Sequence, residues 1–155
     1  MILKKHPHRI PVLDYNKITD YIYIGTNHCC VKHFNEKLLK KGIKADISLE
    51  FTKVDAPFGI SYYSWLPTKN HTSPSFKQLH LGTEIIGNLI ENNVKIYIHC
   101  KNGHGRAPTL VSAYLISQGK NYKEAIAFVK NKRPSMHLDK NQVNALKKFE
   151  KRIKK

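Results

Sequence analysis

The chain has 155 residues, of which 41% are hydrophobic, and this fits one folded domain with a core of its own. No apolar run approaches the roughly 18–20 residues that cross a membrane, and the basic first residues lack the apolar stretch of a secretory signal. The three cysteines, two of them adjacent, do not make a disulfide framework and suit a reducing compartment. We therefore expect a cytoplasmic protein.

The net charge of +16 comes from 27 Lys and Arg against 11 Asp and Glu. A field of this sign attracts phosphorylated proteins, nucleic acids or acidic lipids. Much of the excess lies in residues 1–9 and 147–155, where basic side chains are usually solvated, so solvated ends compete with a nucleic-acid or acidic-lipid surface as the explanation. Residues 1–9 are interpreted as a basic arm, and residues 10–155 as a single domain.

Hydrophobic periodicity predicts strands that alternate with helices, followed by several helices in a row. We expect strands over residues 21–24, 43–49, 59–66 and 94–98. We expect helices over residues 31–41, 76–90, 110–116, 122–132 and 139–153, with a loop over 68–74 and Ser73 or Ser75 as an N-cap. Residues 110–116 are apolar nearly all round, so their helix should be buried. The order predicts an α/β domain with a small central sheet flanked by helices.

The loop after the last predicted strand carries the chemistry, from His99 and Cys100 to Arg106. A free thiol has a pKa near ~8.5, but a helix N-terminus and a nearby cation shift thiols toward the reactive thiolate. Both features adjoin Cys100, because a helix follows the loop and Arg106 ends it. Cys100 is therefore the candidate nucleophile for attack on phosphorus.

Five residues between Cys100 and Arg106 are enough to wrap one tetrahedral anion: Lys101, Asn102, Gly103, His104 and Gly105. Their backbone N–H groups can point inward and form an anion nest. The two glycines permit the unusual dihedral angles of such a wrap. Arg106 can place two donors on phosphate oxygens and stabilise the transition-state charge.

The pattern His-Cys-x-x-Gly-x-x-Arg resembles the signature of the protein tyrosine phosphatase superfamily, and the architecture resembles its compact dual-specificity branch. The likeness extends over residues 18–26, 66–75, 99–109 and 132–134. It implies that Cys100 forms a thiophosphate intermediate, that Arg106 binds phosphate, and that His99 orients and acidifies Cys100 from behind the loop. It implies no metal and no organic cofactor.

Two positions depart from the family's pattern. Asn70 stands thirty residues before Cys100, where members usually carry the Asp that protonates the leaving group, and an amide cannot donate that proton. Three alternatives stay open: His71 or Asp55 replaces the acid, the leaving group needs none, or the protein binds phosphate with little turnover. Ala107 stands where a Ser or Thr usually assists hydrolysis of the intermediate, so the second step is expected to be slow.

Other cysteine and histidine arrangements are weighed against the nucleophile. Cys29 and Cys30, with His28 and His33 nearby, are interpreted as small residues near a helix start rather than as a metal site. A redox partnership with Cys100 stays open. Adjacent histidine and cysteine residues, as at 99–100, are poorly spaced to share one tetrahedral ion.

Phosphotyrosine and phosphoserine/threonine peptides are the first substrates expected. A non-protein phosphate, either RNA 5′-triphosphate or phosphoinositide, is the alternative, favoured by the net charge and by Asn70. Against RNA, members of that type usually show Thr-His-Gly after the cysteine, where this chain has Lys101-Asn102-Gly103. Lys101 and His104 either bind further phosphates or are exposed loop side chains. The third hypothesis is a phosphate-binding module without useful catalysis.

Overall fold

The computed structural model of the protein describes residues 12–155, so the predicted basic arm lies outside the described residues. Within them, five strands form one sheet in the order β1-β2-β5-β3-β4. The strands are β1 (Tyr15–Lys17), β2 (Ile22–Gly25), β3 (Ile43–Ser48), β4 (Tyr62–Trp65) and β5 (Lys95–His99). β1 runs antiparallel to β2, whereas the other neighbouring strands are parallel. The predicted α/β architecture is confirmed.

The helices of the described residues are α1 (Glu36–Lys40), α2 (Phe76–Glu91), α3 (Arg106–Ser117), α4 (Tyr122–Lys132) and α5 (Lys140–Ile153), with a short 3-10 turn at Asn27–Cys29. Residues 106–116 of α3 are all buried, which confirms the prediction for this apolar helix. Ser75 is the N-cap of α2 and forms a capping box with Gln78. It is one of the two residues predicted for this position. Among residues 12–155, no helix is both long and apolar enough to cross a membrane.

The structure differs from the predicted elements near the start of the chain. The helix predicted over residues 31–41 begins only at Glu36, because the Asn35 side chain accepts the Lys37 N–H and starts the helix there. The preceding Phe34 N–H instead bonds to the Phe58 carbonyl, 2.8 Å away. β1 was not predicted, since three residues are too few to show alternation. β4 is shorter than the predicted segment 59–66.

β5 positions the functional loop at the edge where the parallel strands end, a common place for ligand sites in α/β sheets. Side chains alternate across this strand. Ile98 and Cys100 therefore belong to the large core cluster beneath α3. Tyr97 belongs to the smaller cluster on the opposite face, with Cys29 and Cys30. His99, two residues after Tyr97, faces that second side.

Candidate active site

The backbone of the loop between β5 and α3 is held from outside at each carbonyl from Cys100 to Gly105. At the start of the loop, the Cys100 carbonyl accepts from His99 Nδ1 (3.4 Å) and the Lys101 carbonyl from the Asn27 N–H (3.1 Å). Arg133 donates from Nη2 to the Asn102 carbonyl (2.9 Å) and from Nε to the Gly103 carbonyl (2.8 Å). The His104 carbonyl accepts from the His137 N–H (2.9 Å), and the Gly105 carbonyl accepts from the N–H and the hydroxyl of Thr109 (2.9 and 2.7 Å). In a trans peptide the N–H points opposite to the carbonyl. The N–H groups of the following residues therefore turn toward the inside of the loop, the arrangement that an anion nest requires.

The two glycines of the loop are required for different reasons. Gly103 has φ +69°, and a Cβ there would lie 2.7 Å from the Gly25 carbonyl oxygen and 2.9 Å from Arg133 Nη2. Gly105 has φ −130° and ψ −66°, so it lies outside the left-handed region that Gly103 occupies. The absence of a side chain at Gly105 leaves room for Gln142, whose side-chain amide would lie about 2.9–3.0 Å from an added Cβ.

Arg106 is the first residue of α3 and is only 4% exposed. Its Nη1 donates to the Thr68 carbonyl at 2.8 Å and to the Leu49 carbonyl at 3.3 Å. These bonds fix the guanidinium beside Cys100, so that its other N–H groups can bind an anion in the nest.

Arg133 supports the loop from behind and was not among the sequence-predicted site residues. It is fully buried and, besides the two loop carbonyls, donates to Asn16 Oδ1 at 2.7 Å and to Asp14 Oδ2 at 3.1 Å. The family resemblance at residues 132–134 pointed to this position in the sequence, but it did not indicate what Arg133 does. The fully buried arginine fixes the loop by hydrogen bonds from its charged group to two loop carbonyls.

His99 lies behind the loop with its ring fully buried between two carboxylates. Its Nε2 is 3.0 Å from Asp55 Oδ2 and 3.3 Å from Asp46 Oδ1. Burial of the ring disfavours its charged form, but the carboxylates of Asp46 and Asp55 outweigh this and raise the pKa of His99 to about 10.

Asp55 is the carboxylate nearer to His99, at 3.0 Å. Burial opposes ionisation of Asp55, but hydrogen bonds from His99 and other donors outweigh it and lower its pKa. Burial raises the pKa of Asp46, and His99 only partly opposes this. Because the Asp55 side chain is 4% exposed and lies against His99, it has no access to the pocket as a replacement acid.

The pocket in front of the loop is lined by seven predicted site residues, Asn70, Cys100, Lys101, Asn102, His104, Gly105 and Arg106, and also by His71, His137, Asp139 and Gln142. Gly103 and His99 support the loop from outside this lining. The predicted constellation is therefore brought together around Cys100, which is 3% exposed.

His71 and Asp139 form a pair at the mouth of this pocket. His71 Nδ1 lies 3.1 Å from Asp139 Oδ2, and the His71 backbone has φ 61°, an uncommon conformation for a non-glycine residue. Two bonds fasten their loop to α5: Asn141 Nδ2 to the His71 carbonyl (2.7 Å) and Gln142 Nε2 to the Thr72 carbonyl (3.1 Å).

Cys29 and Cys30 are buried on the opposite face of β5 from Cys100, and their Sγ atoms are bonded to each other. A bond between adjacent residues closes no long loop of the chain, so it adds no cross-link between distant elements. Their polar neighbours are Asp46 and His99 rather than His28 and His33.

Residues 22–152 match the family model described as dual specificity phosphatase, catalytic domain. The chain belongs to this family. It is therefore related to enzymes that act on phosphorylated substrates, and the predicted phosphatase function is confirmed at this level.

Two curated relatives match this chain over most of their length. A putative tyrosine phosphatase 123R of Invertebrate iridescent virus 6 is 26% identical over 139 residues, covering 89% of this chain and 93% of the relative. Protein tyrosine phosphatase type IVA 3 of Bos taurus is 27% identical over 143 residues, covering 88% of this chain and 82% of the relative.

Solved structures share the fold. Human DUSP28 superposes with a TM-score of 0.82 at 15% identity, covering 94% of this chain and 98% of that one. PTPMT1 in complex with PI(5)P superposes with a TM-score of 0.77 at 22% identity, covering 90% of this chain and 96% of that one.

Proposed function

We propose that this protein hydrolyses phosphate monoesters of proteins, at phosphotyrosine and phosphoserine/threonine, through a cysteinyl-phosphate intermediate at Cys100. The observation that carries the proposal is the loop whose carbonyls are all held from outside, with Cys100 and Arg106 lining the same pocket. A reactive thiol of this kind works in a reducing compartment, which supports a cytoplasmic location.

In the first step, Cys100 Sγ attacks phosphorus, an S–P bond forms, and the P–O bond to the leaving group breaks. Arg106 and the inward N–H groups stabilise the charge on the non-bridging oxygens of the transition state. No metal is required for this step, because the loop itself supplies the positive field. The leaving oxygen takes a proton from a general acid.

His71 is the residue we assign as that acid. Asn70 cannot donate a proton, Asp55 is held behind the loop, and His71 lines the pocket. Asp139 accepts a hydrogen bond from Nδ1, which orients the ring and leaves the second ring nitrogen to protonate the leaving oxygen.

In the second step, water attacks phosphorus, the S–P bond breaks, and Cys100 leaves as a thiolate while the water proton passes to the now neutral His71. Ala107 offers no hydroxyl to the departing sulfur. Thr109 does not replace it, since its hydroxyl donates to the Gly105 carbonyl at 2.7 Å. We therefore expect hydrolysis of the intermediate to limit turnover of good substrates.

Hydrolysis of a small aryl phosphate in reducing buffer tests the nucleophile. Wild type should turn over, and Cys100→Ser should lose roughly 10⁴-fold or more, as enzymes do when their nucleophile is removed. Rapid mixing should show a burst of aryl alcohol in wild type, because the second step is slow. Equal rates for wild type and Cys100→Ser would overturn the proposal, whereas phosphate binding without turnover in both would establish a binding module.

The dependence of the rate on the leaving group tests whether His71 is the general acid. His71→Ala should lower turnover of phosphoserine peptides, which have a poor leaving group, by about 10²–10⁴-fold, and that of a nitrophenyl phosphate far less. His80→Ala is the matched control, since His80 lies on α2 beside Glu84, away from the pocket lining. A uniform loss on both substrates would show that His71 is not the acid.

A second candidate substrate class is a compound with an additional phosphate, such as a phosphoinositide. The observation that favours it is the rim of the pocket, where His104 and His137 lie with ring centroids 5.1 Å apart next to exposed Lys101. A second phosphate could accept hydrogen bonds from this rim. A Lys101→Ala/His104→Ala variant that loses activity on phosphoinositide vesicles but not on phosphopeptides would establish this substrate class.

A further inference from the structure

Four buried side chains with metal-binding chemistry meet behind the phosphate loop: Cys29, Cys30, Asp46 and His99. One ligand atom from each lies within 4.8 Å of all the others, and all four residues are buried. They come from the 3-10 turn, from β3 and from the end of β5, so the tertiary fold gathers them from three separate segments. None of the four lines the catalytic pocket.

Two of the six separations between the ligand atoms, both from His99, already match edges of a zinc coordination tetrahedron. Zn–N and Zn–O bonds of about 2.0–2.2 Å and Zn–S bonds of about 2.3 Å give edges of about 3.4 Å between N and O and about 3.6 Å between N and S. His99 Nε2 lies 3.3 Å from Asp46 Oδ1 and 3.7 Å from Cys30 Sγ.

The second ring nitrogen of His99 has the partner that a metal-bound histidine usually has. Nδ1 lies 3.4 Å from the Cys100 carbonyl, so it can donate there while Nε2 faces the cluster. Zinc on Nε2 would replace the contact of this nitrogen with Asp55, 3.0 Å away. Among the described residues, neither carboxylate oxygen of Asp46 has a hydrogen bond of good geometry. A buried carboxylate with unused lone pairs is costly unless it is protonated or binds a cation.

We propose that the reduced chain binds one zinc ion through Cys29, Cys30, Asp46 and His99. The two sulfurs belong to adjacent residues and are bonded to each other in the structure, so a small dithiol must first open that bond, and the two side chains must then turn apart to reach two corners of the tetrahedron. The dithiol becomes the disulfide, and two thiols form with its two protons. Zn²⁺ then displaces both thiol protons and the proton on His99 Nε2, which pass to the buffer, and binds two thiolates, one imidazole nitrogen and one carboxylate oxygen, a donor set that suits this ion.

The site would fix the back of the catalytic loop. His99 immediately precedes Cys100 and bonds to its carbonyl, so a metal on Nε2 would immobilise the ring that supports the nucleophile. The cluster is fully enclosed by protein and offers four ligands, which is the arrangement of a structural rather than a catalytic zinc site.

Zinc content measures the proposal directly, independently of turnover. The full-length chain, reduced with a dithiol, is mixed with Zn²⁺, freed of excess ion by gel filtration and analysed by atomic emission. About one zinc per chain is expected for wild type, with a zinc-dependent rise in the unfolding temperature. Asp46→Asn and the double variant Cys29→Ser/Cys30→Ser should lose the bound zinc.

Two matched controls locate the site. Cys100→Ser removes the third cysteine, which packs on the other face of β5, and His28→Ala removes a histidine next to the pair but outside the cluster. Both should retain one zinc per chain. Equal zinc retention by the Cys29→Ser/Cys30→Ser variant would overturn the proposal.

Cobalt provides a readout on wild type alone, should a variant fail to fold. Co²⁺ bound to thiolates gives a sulfur-to-cobalt charge-transfer absorption, which we expect on adding Co²⁺ to the reduced chain. A folded, reduced wild type that retains no zinc and shows no such absorption would also overturn the proposal.

Discussion

Behind the phosphate loop, fully buried groups hold the backbone, whereas in front of it a histidine and an aspartate that face water line the mouth of the pocket. Arg133 and His99 are 0% exposed, but the side chains of His71 and Asp139 are 75% and 42% exposed. Buried charge-assisted bonds do not exchange with water, so they keep the phosphate nest preformed. The exposed front depends on side chains that face water, so substitutions there should disturb the fold less than substitutions behind the loop.

The largest expected effect comes from removing the arginine that supports the loop from behind. Arg133→Ala would leave the carbonyls of Asn102 and Gly103 without their donor and should lower the free energy of unfolding by about 3–5 kcal/mol. Urea unfolding measures this. Arg152→Ala is the control, because Arg152 is exposed and stacks on Phe76, and it should cost well under half as much. Equal losses would contradict the assigned role.

Arg106→Lys tests whether the loop needs the planar guanidinium group of Arg106 or only its positive charge. Lysine keeps the positive charge but loses the planar fork, so kcat/KM for an aryl phosphate should fall about 10²–10³-fold. Lys101→Ala, on the exposed rim, should change the same constant by less than about tenfold. If the two variants lose activity equally, the loop does not depend on the fork of Arg106.

Gly103→Ala tests how tightly the loop lies against its rear support. The φ of +69° and the contacts with Gly25 and Arg133 should make this change cost about 1–3 kcal/mol in unfolding free energy. Gly87→Ala is the opposite case, since an added Cβ in α2 meets nothing within 4 Å, and it should stabilise by about 0.5–1 kcal/mol. A neutral Gly103→Ala would contradict the tight rear contact.

The smallest expected effect lies at the exposed front. Asp139→Asn keeps an N-cap for α5 but removes the charge beside His71, so turnover of phosphoserine peptides should fall only about two- to fivefold. Turnover of a nitrophenyl phosphate should not change. A purely structural role of Asp139 would instead lower both rates together, with a lower unfolding temperature.

Much of the fold was predictable because its signals are local. The apolar helix after Arg106 and the strand before His99 have clear periodicity, and α4 begins and ends at the predicted residues. Only the first half of the helix predicted over residues 31–41 was wrong, since there the Phe34 N–H bonds to the carbonyl of Phe58, far along the chain. Three-residue β1 carries no periodic signal at all.

The sequence by itself determined that Cys100 and Arg106, the proposed nucleophile and phosphate-binding arginine, lie together, because they are six positions apart and one backbone turn joins them. Only the tertiary structure decided which residues support and complete that loop. Arg133, Asp46 and Asp55 reach it from distant segments, and Asp139 meets His71 across 68 positions. Such pairs have no spacing rule, since packing of the sheet and helices, not local backbone geometry, sets their distances.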